Sequence, residues 1–345
     1  MGPAGRDGAT DAGSRDTASG GDGAVGGLEG GADVALYDSE AVFLAACQDY
    51  SALCAGPRVD ANCGACQYRV AYRSDVCSAE GPCDDLLVYW APLGCERDEV
   101  TNFLTGLLAA YPDLVAACVQ PIYPGEPLPS SIGAPDRDEL VVRTVFQRLK
   151  PGGDLGVWSG RHVLHGGCSI GATRLPVVLA RFDVEGDLLG TERTAACLSD
   201  GVLDVQHQLD YVVGGTGPSC ERRARRIRQR YGMSLPSDCG GGDCQRFDSV
   251  LRSDGVGGFV LAPGLTPASF GIRDWKLVTE GGAFSDPAER CEKDVVEGAP
   301  FRALCAILET APEHRCVARA FPNANHCTAY TSTFGPTCID WFRSL

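Results

Sequence analysis

Residues Trp158–Phe182 carry the clearest signal of the fold, and residues 167–171 at their centre read GCSIG. A short apolar run precedes this centre and a segment with helical apolar spacing follows it, so the pattern predicts a strand, a sharp turn and a helix. Such a turn strains the backbone of Ser169, and Gly167 and Gly171 lack the Cβ atoms that would clash where strand and helix meet. The sequence therefore predicts a nucleophile elbow, with the Ser169 hydroxyl at the C-terminal edge of a sheet.

Strand-like and helix-like patterns alternate on both sides of this centre. The predicted strands cover residues 67–72, 85–90, 114–123, 194–198, 275–279 and 315–321, and the predicted helices cover 98–111, 138–150, 175–182 and 300–310. We expect strand 67–72 to flank strand 85–90. Pro176 is unfavourable inside the predicted helix that follows Ser169, because its missing N–H and its ring should kink or delay the helix. The alternation predicts an α/β fold, with a mostly parallel central sheet and helices on both faces.

The composition is that of a globular, acidic chain. Its 345 residues, 44% of them hydrophobic, suffice for a sizeable core in one large domain or two small ones. The formal net charge of -15 argues against a nucleic-acid partner, because phosphate binding would have to overcome a repulsive field. No run approaches the roughly 18 apolar residues of a membrane span. We therefore expect no nucleic-acid partner and no membrane span.

Eighteen cysteines, an even number, are spread along the chain rather than grouped in metal-like quartets. This usage predicts disulfides and an oxidising compartment, so we expect a secreted or extracellular protein. The residues after Met1 contain no apolar signal segment, which we interpret as a mature form whose export signal has been removed. Cys63 and Cys66 have C-x-x-C spacing, but no second pair and no nearby histidine accompany them, which favours a disulfide over zinc. No metal and no cofactor is expected.

Three regions differ in composition. Residues 1–33 contain eleven glycines and no aromatic residue or cysteine, so they are predicted to be a disordered linker, either a surface tether or a tail. Residues 34–345 are predicted to form one domain. Within it, residues from about 205 to 255 depart from the strand–helix rhythm and are predicted to be a small cap or insertion. The helix Arg222–Arg230 in this cap carries six arginines, and it is either a solvated helix or a site for a carboxylate-bearing substrate.

A serine nucleophile needs a base and an acid. The base takes the serine's proton, and the acid, a carboxylate, fixes the tautomer of the base. On a sheet whose elbow serine comes first, the acid and then the histidine follow, each on a loop after a later strand. His326 is the histidine that follows the last predicted strand, and Asp286 follows strand 275–279. The alternatives for the acid are Glu280, Asp294, Asp200 and Asp204.

Cysteines adjoin two of these residues. The arrangement Cys168-Ser169, Asp286, His326-Cys327 resembles the CS-D-HC signature of the tannase and feruloyl esterase family, which also includes a hydrolase of mono(hydroxyethyl) terephthalate. The resemblance implies the α/β-hydrolase fold, secretion and cleavage of aromatic-acid esters. It also implies a disulfide between the two flanking cysteines, which would hold nucleophile and base side by side.

The resemblance covers roughly residues 160–182 and 275–330, and the chain departs from the family in two ways. Family members continue Gly-Cys-Ser with Thr-Gly-Gly, where this chain has residues 170–172 reading IGA, and they usually carry a large lid for which this chain has no room. An alternative to the implied disulfide leaves Cys168 as a small buried thiol. The other cysteine would then pair with Cys338 or Cys316.

Together these features predict a serine carboxylic ester hydrolase that works through an acyl-enzyme. The resemblance implies aromatic-acid esters as substrates, in small molecules or polymers. The oxyanion hole should use the N–H of Ile170 and an N–H of Leu93 or Gly94, on the loop after strand 85–90, since Pro92 cannot donate. The alternatives are a catalytically silent surface-binding domain of the same fold and a serine peptidase. The expected partner is a small-molecule or polymeric ester, and the chain is expected to be a monomer.

Overall fold

The computed structural model describes eleven parts of the chain. They are residues 35–37, 68–91, 95, 98–119, 142–143, 145–180, 191–201, 203, 250–280, 298–321 and 327–345. All of them belong to one compact unit, Ala32–Leu345. The predicted linker 1–33 lies outside the described residues, as does the predicted cap apart from residues 250–255.

An eight-stranded sheet forms the centre of the molecule. Its strands are β1 (Ala35–Tyr37), β2 (Tyr68–Tyr72), β3 (Cys83–Trp90), β4 (Leu114–Val119), β5 (Trp158–Cys168), β6 (Arg193–Ser199), β9 (Asp274–Glu280) and β10 (Arg315–Phe321). The short strands β7 (Leu251–Ser253) and β8 (Phe259–Leu261) form a separate antiparallel hairpin. The sheet order is β1-β2-β4-β3-β5-β6-β9-β10. Strands β1 and β2 pair antiparallel with their neighbours and all other pairs are parallel.

Helices cover both faces of this sheet. They are α1 (Asp98–Ala110), α2 (Ile170–Leu179), α3 (Gly298–Leu308), α4 (Thr328–Ser332) and α5 (Asp340–Arg343), with further helical residues at 142–143 and 145–149. A 3-10 turn at Pro267–Ser269 and a π-helical turn at Gly335–Ile339 complete the described elements. None of the described helices has the length and apolarity needed to cross a bilayer.

The core divides at the sheet, because successive side chains of a strand point to opposite faces. On β3, Leu86 and Val88 belong to the apolar cluster that includes α2 and α3, whereas Leu87 and Tyr89 belong to the cluster that includes α1 and the C-terminal helices. Helices on both faces bury residues 86–90 of this strand, which explains its continuous apolar run, whereas Asp84 and Asp85 near its start are half-buried.

The predicted α/β class and its parallel sheet are confirmed. Each predicted strand and helix has a counterpart. Of the predicted strand 114–123, the described part is Leu114–Val119 and residues 120–123 lie outside the described residues, while the strand before the elbow extends back to Trp158. Helix α2 begins directly after Ser169 and continues past Pro176, so the proline does not delay it. Three strands of three residues each, β1, β7 and β8, were not predicted, because they are too short to show a periodic pattern.

One expected neighbour relation is wrong. Strand β2 does not flank β3, because β4 lies between them. The chain passes from β3 through α1 into β4, and successive strands joined by a helix tend to pair in parallel. Strand β4 therefore occupies one side of β3 and β5 the other, which leaves β2 to pair with the free side of β4.

Every cysteine in the described part of the chain is disulfide-bonded. The pairs are Cys77–Cys83, Cys95–Cys118, Cys168–Cys327, Cys197–Cys338 and Cys305–Cys316. Two of them join distant parts of the sequence, with separations of 159 and 141 residues. Disulfides of this number fit an oxidising compartment.

Candidate active site

Ser169 lies on the sharp turn between β5 and α2. Its φ of 56° and ψ of -119° place a non-glycine residue in a region that L-residues seldom adopt. Neighbouring elements hold this conformation: the Ser169 N–H donates to the Ser199 carbonyl at 3.0 Å, and the Ser169 carbonyl accepts from the backbone and the hydroxyl of Thr173. The strained turn predicted from the sequence is therefore present.

The Ser169 hydroxyl does not serve the helix that follows it. A serine at the N-cap commonly accepts a hydrogen bond from an amide of the first helical turn. Here Ser169 occupies the N-cap of α2, but its side chain makes no capping hydrogen bond. The residue is half-buried. Its hydroxyl is thus not used to cap α2.

Glycines make the close approach of strand and helix possible. A Cβ on Gly167 would lie 3.2 Å from the carbonyl carbon of Gly171 and 3.3 Å from the Cβ of Trp90. The elbow therefore packs against the C-terminal end of β3, the strand beside β5. A mostly parallel sheet with helices on both faces carries a strained serine turn between strand and helix at its C-terminal edge, and this combination identifies the fold. The chain has the α/β-hydrolase fold.

Solved structures of this fold are similar to the chain at low sequence identity. A fungal esterase from Rhizomucor miehei is 13% identical, with a TM-score of 0.49, over 77% of this chain and 73% of its own. Brefeldin A esterase, a bacterial homologue of human hormone-sensitive lipase, is 14% identical, with a TM-score of 0.49, over 88% and 83%. Carboxyl esterase 2 from Tuber melanosporum is 14% identical, with a TM-score of 0.45, over 81% and 80%. Neither a protein-family model nor a curated protein matches the sequence.

A disulfide ties the elbow to the segment after β10. Cys168, the last residue of β5, is fully buried and bonds to Cys327, with the Cα atoms 5.9 Å apart. This is the pair that the resemblance implied. The alternative partners are occupied, because Cys338 bonds to Cys197 and Cys316 to Cys305.

Asp200 lies directly after β6 at the same edge of the sheet. It is buried, with 5% relative exposure, and its φ of 56° is the second strained backbone position at this edge. Its Oδ2 accepts a hydrogen bond from the backbone N–H of Cys327 at 3.2 Å. Asp200 was named from the sequence only as an alternative acid, and its position after a parallel strand was the signal for it.

Tyr330 of α4 links the ends of β5 and β6, and sequence reasoning missed it. Its hydroxyl accepts a hydrogen bond from the Gly167 N–H at 2.9 Å and donates to the Cys197 carbonyl. The side chain is fully buried, with its ring edge-on to Phe334. A tyrosine three residues after Cys327 gives no sequence signal of this contact, which depends on where α4 packs.

The three described histidines lie away from the elbow turn. His162, near the start of β5, contacts Asp85 with its Nδ1 2.9 Å from Oδ1. Burial without a hydrogen-bond partner lowers the pKa of His165 to about 3. His314 precedes β10, and its two ring nitrogens lie 3.0 and 2.8 Å from the carbonyl oxygens of Ile272 and Pro267.

The described residues offer one group with metal-ligand spacing, formed by Cys168, Asp200 and Cys327. A metal would need thiolates, and both sulfurs are consumed by the disulfide. The group therefore does not fit a metal ion.

Among the predicted site residues, the structure brings together Cys168, Ser169, Ile170 and Cys327, with Ile170 as the first residue of α2. The predicted acid Asp286, the predicted base His326 and the oxyanion residues Leu93 and Gly94 lie outside the described residues. So does the helix Arg222–Arg230.

Proposed function

We propose that this protein is a serine carboxylic ester hydrolase. The observation that carries the proposal is Ser169, held in a strained turn at the C-terminal edge of the sheet with a hydroxyl that does not cap its helix. A strained, uncapped serine at this edge is the arrangement of a nucleophile elbow. Strain at such a position is characteristic of functional sites.

In the proposed reaction, Ser169 Oγ attacks the ester carbonyl carbon while His326 takes the hydroxyl proton. Asp286 holds the imidazole in the required tautomer and stabilises its cation. The tetrahedral intermediate then collapses to an acyl-enzyme, and His326 gives its proton to the departing alcohol. Water, activated by the same histidine, hydrolyses the acyl-enzyme and regenerates the serine.

Covalent geometry supports His326 as the base. Two peptide units and the 5.9 Å between the Cys168 and Cys327 Cα atoms limit the Cα separation of residues 169 and 326 to about 13.5 Å. The three described histidines lie elsewhere: His162 and His314 contact other groups, and His165 is buried in the core.

The helix α2 supports the proposed oxyanion hole. The N–H of Ile170, at the start of this helix, has no intrahelical partner and follows the nucleophile directly. A second N–H is assigned to Leu93 or Gly94. The end of β3, from which that loop departs, packs against Gly167 and Gly171 beside the serine.

We assign the protein to an oxidising, extracellular compartment, on the strength of its disulfides. The resemblance to the tannase and feruloyl esterase family suggests esters of aromatic acids, in small molecules or polymers. The linker 1–33 would then serve as a surface tether or a tail.

A fluorophosphonate probe tests the nucleophile. We expect the wild type to be labelled on Ser169, the variant Ser169→Ala to be unlabelled, and Ser159→Ala to be labelled like the wild type. Ser159 is the matched control, because it lies on the same strand at the opposite end. Labelling of Ser169→Ala, or none of the wild type, would contradict the proposal and favour a silent binding domain.

A substrate panel tests the reaction class. Short-chain, feruloyl and terephthalate esters are compared with peptide amides of matched acyl groups. Preferred ester cleavage, lost in Ser169→Ala, supports the esterase. Preferred amide cleavage would identify a peptidase instead.

A further inference from the structure

Asp200 is an unusual residue in this site, because it is a carboxylate buried at the catalytic edge of the sheet. Burying a charged group is costly unless hydrogen bonds compensate it. Its backbone N–H donates to the Val278 carbonyl of β9 at 3.3 Å, which fixes the residue between β6 and β9. A role in the site is a reason to retain such a group.

The segment around Asp200 packs closely against α2, the helix that follows Ser169. A Cβ on the next residue, Gly201, would lie 2.6 Å from the carbonyl carbon and oxygen of Ala172 in α2. The Asp200 segment therefore touches the helix that begins after Ser169. On its other side, the Asp200 carboxylate oxygen and the sulfurs of the Cys168–Cys327 disulfide lie within 4.8 Å of one another.

The Asp200 carboxylate accepts a hydrogen bond from the backbone amide of Cys327. The N–H that it accepts, that of Cys327, belongs to the planar peptide unit that also contains the carbonyl of residue 326. The orientation of this plane constrains the backbone torsion angles of residue 326. It therefore also constrains the direction of the Cα–Cβ bond of that residue. The disulfide acts differently, since it fixes the separation of Cys168 and Cys327 but not the plane of that peptide.

We infer that Asp200 is a positioning residue, which holds the peptide of Cys327 and thereby orients the imidazole of His326 toward Ser169. The inference rests on the proposed function, since it takes His326 as the base. A hydrogen bond from an amide to a carboxylate is stronger than one to a neutral acceptor, so the anion is suited to this task. The imidazole, not Asp200, touches the reacting atoms.

Two variants separate positioning from acid catalysis. Asp200→Asn keeps a carbonyl oxygen that can accept from Cys327, whereas Asp200→Ala removes the acceptor. We expect Asp200→Asn to retain kcat within about tenfold and Asp200→Ala to lose about 10²-fold with KM unchanged, because small misplacements of a catalytic group cost rates of this order. If Asp200 were the triad acid, both variants would lose about 10⁴-fold, and the inference would be overturned.

Hydrogen–deuterium exchange provides a readout that does not depend on activity. The peptide containing Cys327 should exchange faster in Asp200→Ala than in Asp200→Asn or the wild type. Asp254→Ala is the matched control, because Asp254 Oδ1 also accepts backbone N–H groups, those of Val256 and Gly258, but in the exposed β7–β8 turn. That variant should loosen only its own hairpin and keep kcat.

The outcomes distinguish this inference from the proposed function. Urea unfolding, measured on each variant, reports whether it is folded, so that a misfolded Asp200→Ala is recognised and Asp200→Asn then decides between positioning and acid catalysis. Unchanged exchange at Cys327 and unchanged kcat in a folded Asp200→Ala would overturn the positioning role alone. An unlabelled wild type would overturn the esterase and the positioning role together.

Discussion

The carbonyl oxygen of Trp90 lies 2.0 Å from the point where a Cβ on Gly171 would be. Contacts this short do not occur, and the clashing atom is backbone, which cannot swing away as a side chain would. The end of β3 and the start of α2 thus approach each other as closely as a glycine permits. The last glycine of the G-x-S-x-G pattern is required by this contact.

Gly171→Ala should therefore displace the elbow. We expect a loss of about 1–3 kcal/mol in the free energy of unfolding and a large loss of kcat, because the start of α2 carries the proposed oxyanion donor. Urea unfolding and ester hydrolysis measure the two effects.

The matched control is Gly106→Ala, since Gly106 lies in helix α1 and a Cβ there would have no atom within 4 Å. It should gain about 0.5–1 kcal/mol and leave kcat unchanged. Equal stability for the two variants would contradict the clash.

Asp286→Asn tests the proposed acid. The variant should stay folded and lose kcat by about 10⁴-fold, as for the triad acid of a serine protease, because the amide favours the wrong tautomer of the imidazole. Steady-state kinetics on the best ester of the panel measures this loss. Glu280→Gln, at the end of β9, and Asp294→Asn, further along the chain, are the matched variants. A larger loss in either of them would move the acid to that residue.

The disulfide beside the serine should matter to stability and to activity. Because Cys197–Cys338 already restrains the chain, forming Cys168–Cys327 closes a loop that runs from Cys168 to Cys197 and from Cys338 back to Cys327. That loop of about 40 residues corresponds to at most about 4 kcal/mol of chain entropy. The double variant Cys168→Ala, Cys327→Ala should show this loss in urea unfolding, together with a lower kcat.

The control for the disulfide is Cys77→Ala, Cys83→Ala, which opens a bond of sequence separation 6. It should lose about 2 kcal/mol, because its loop is short, and keep kcat. Peptide mapping under non-reducing conditions checks the pairing directly. A free thiol on Cys168 in the native protein would contradict both the bond and the proposed approach of His326.

Tyr330→Phe removes one hydroxyl and keeps the ring. The Gly167 N–H and the Cys197 carbonyl would then lose a buried partner, which costs about 1–3 kcal/mol. Thermal unfolding measures the loss. Tyr111→Phe is the control, because its hydroxyl donates to Asp340 Oδ1 at 3.0 Å near the surface and should cost less than about 1 kcal/mol. Equal losses would show that Tyr330 does not link the two strands.

His165 should make stability depend on pH. Burial lowers its pKa in the folded protein to about 3, below its ordinary value of 6.5. Above pH 6.5 the imidazole is neutral in both states and has no effect on stability. As the pH falls from 6.5 toward 3, His165 binds a proton in the unfolded chain but not in the folded chain. The free energy of unfolding therefore decreases by up to about 1.4 kcal/mol per pH unit.

The comparison with His165→Leu isolates this effect, because all other titrating groups remain. Between pH 7.5 and pH 5 the wild type should lose about 2 kcal/mol more than the variant in urea unfolding. An identical pH dependence in the two proteins would mean that His165 is accessible to protons in the folded state.

Local pattern was sufficient to predict most of the secondary structure and the elbow. The strand–turn–helix around Ser169 follows from apolar periodicity and from two glycines, and both act over a few residues. The strand at Arg315–Phe321 was predicted with the bounds that the structure shows. The strands of three residues were not predicted, since no period is visible in so short a segment.

The strained turn at Ser169 could be predicted from the residues around it, because the steric limits on a backbone are local. The contacts between distant segments became visible in the folded structure: β4 lies between β2 and β3, the Trp90 carbonyl lies against Gly171, and Asp200 contacts Cys327, 127 residues further along the chain. Such contacts depend on how crossover connections arrange the strands and how helices pack on them. No pattern within a window of a few residues records that arrangement.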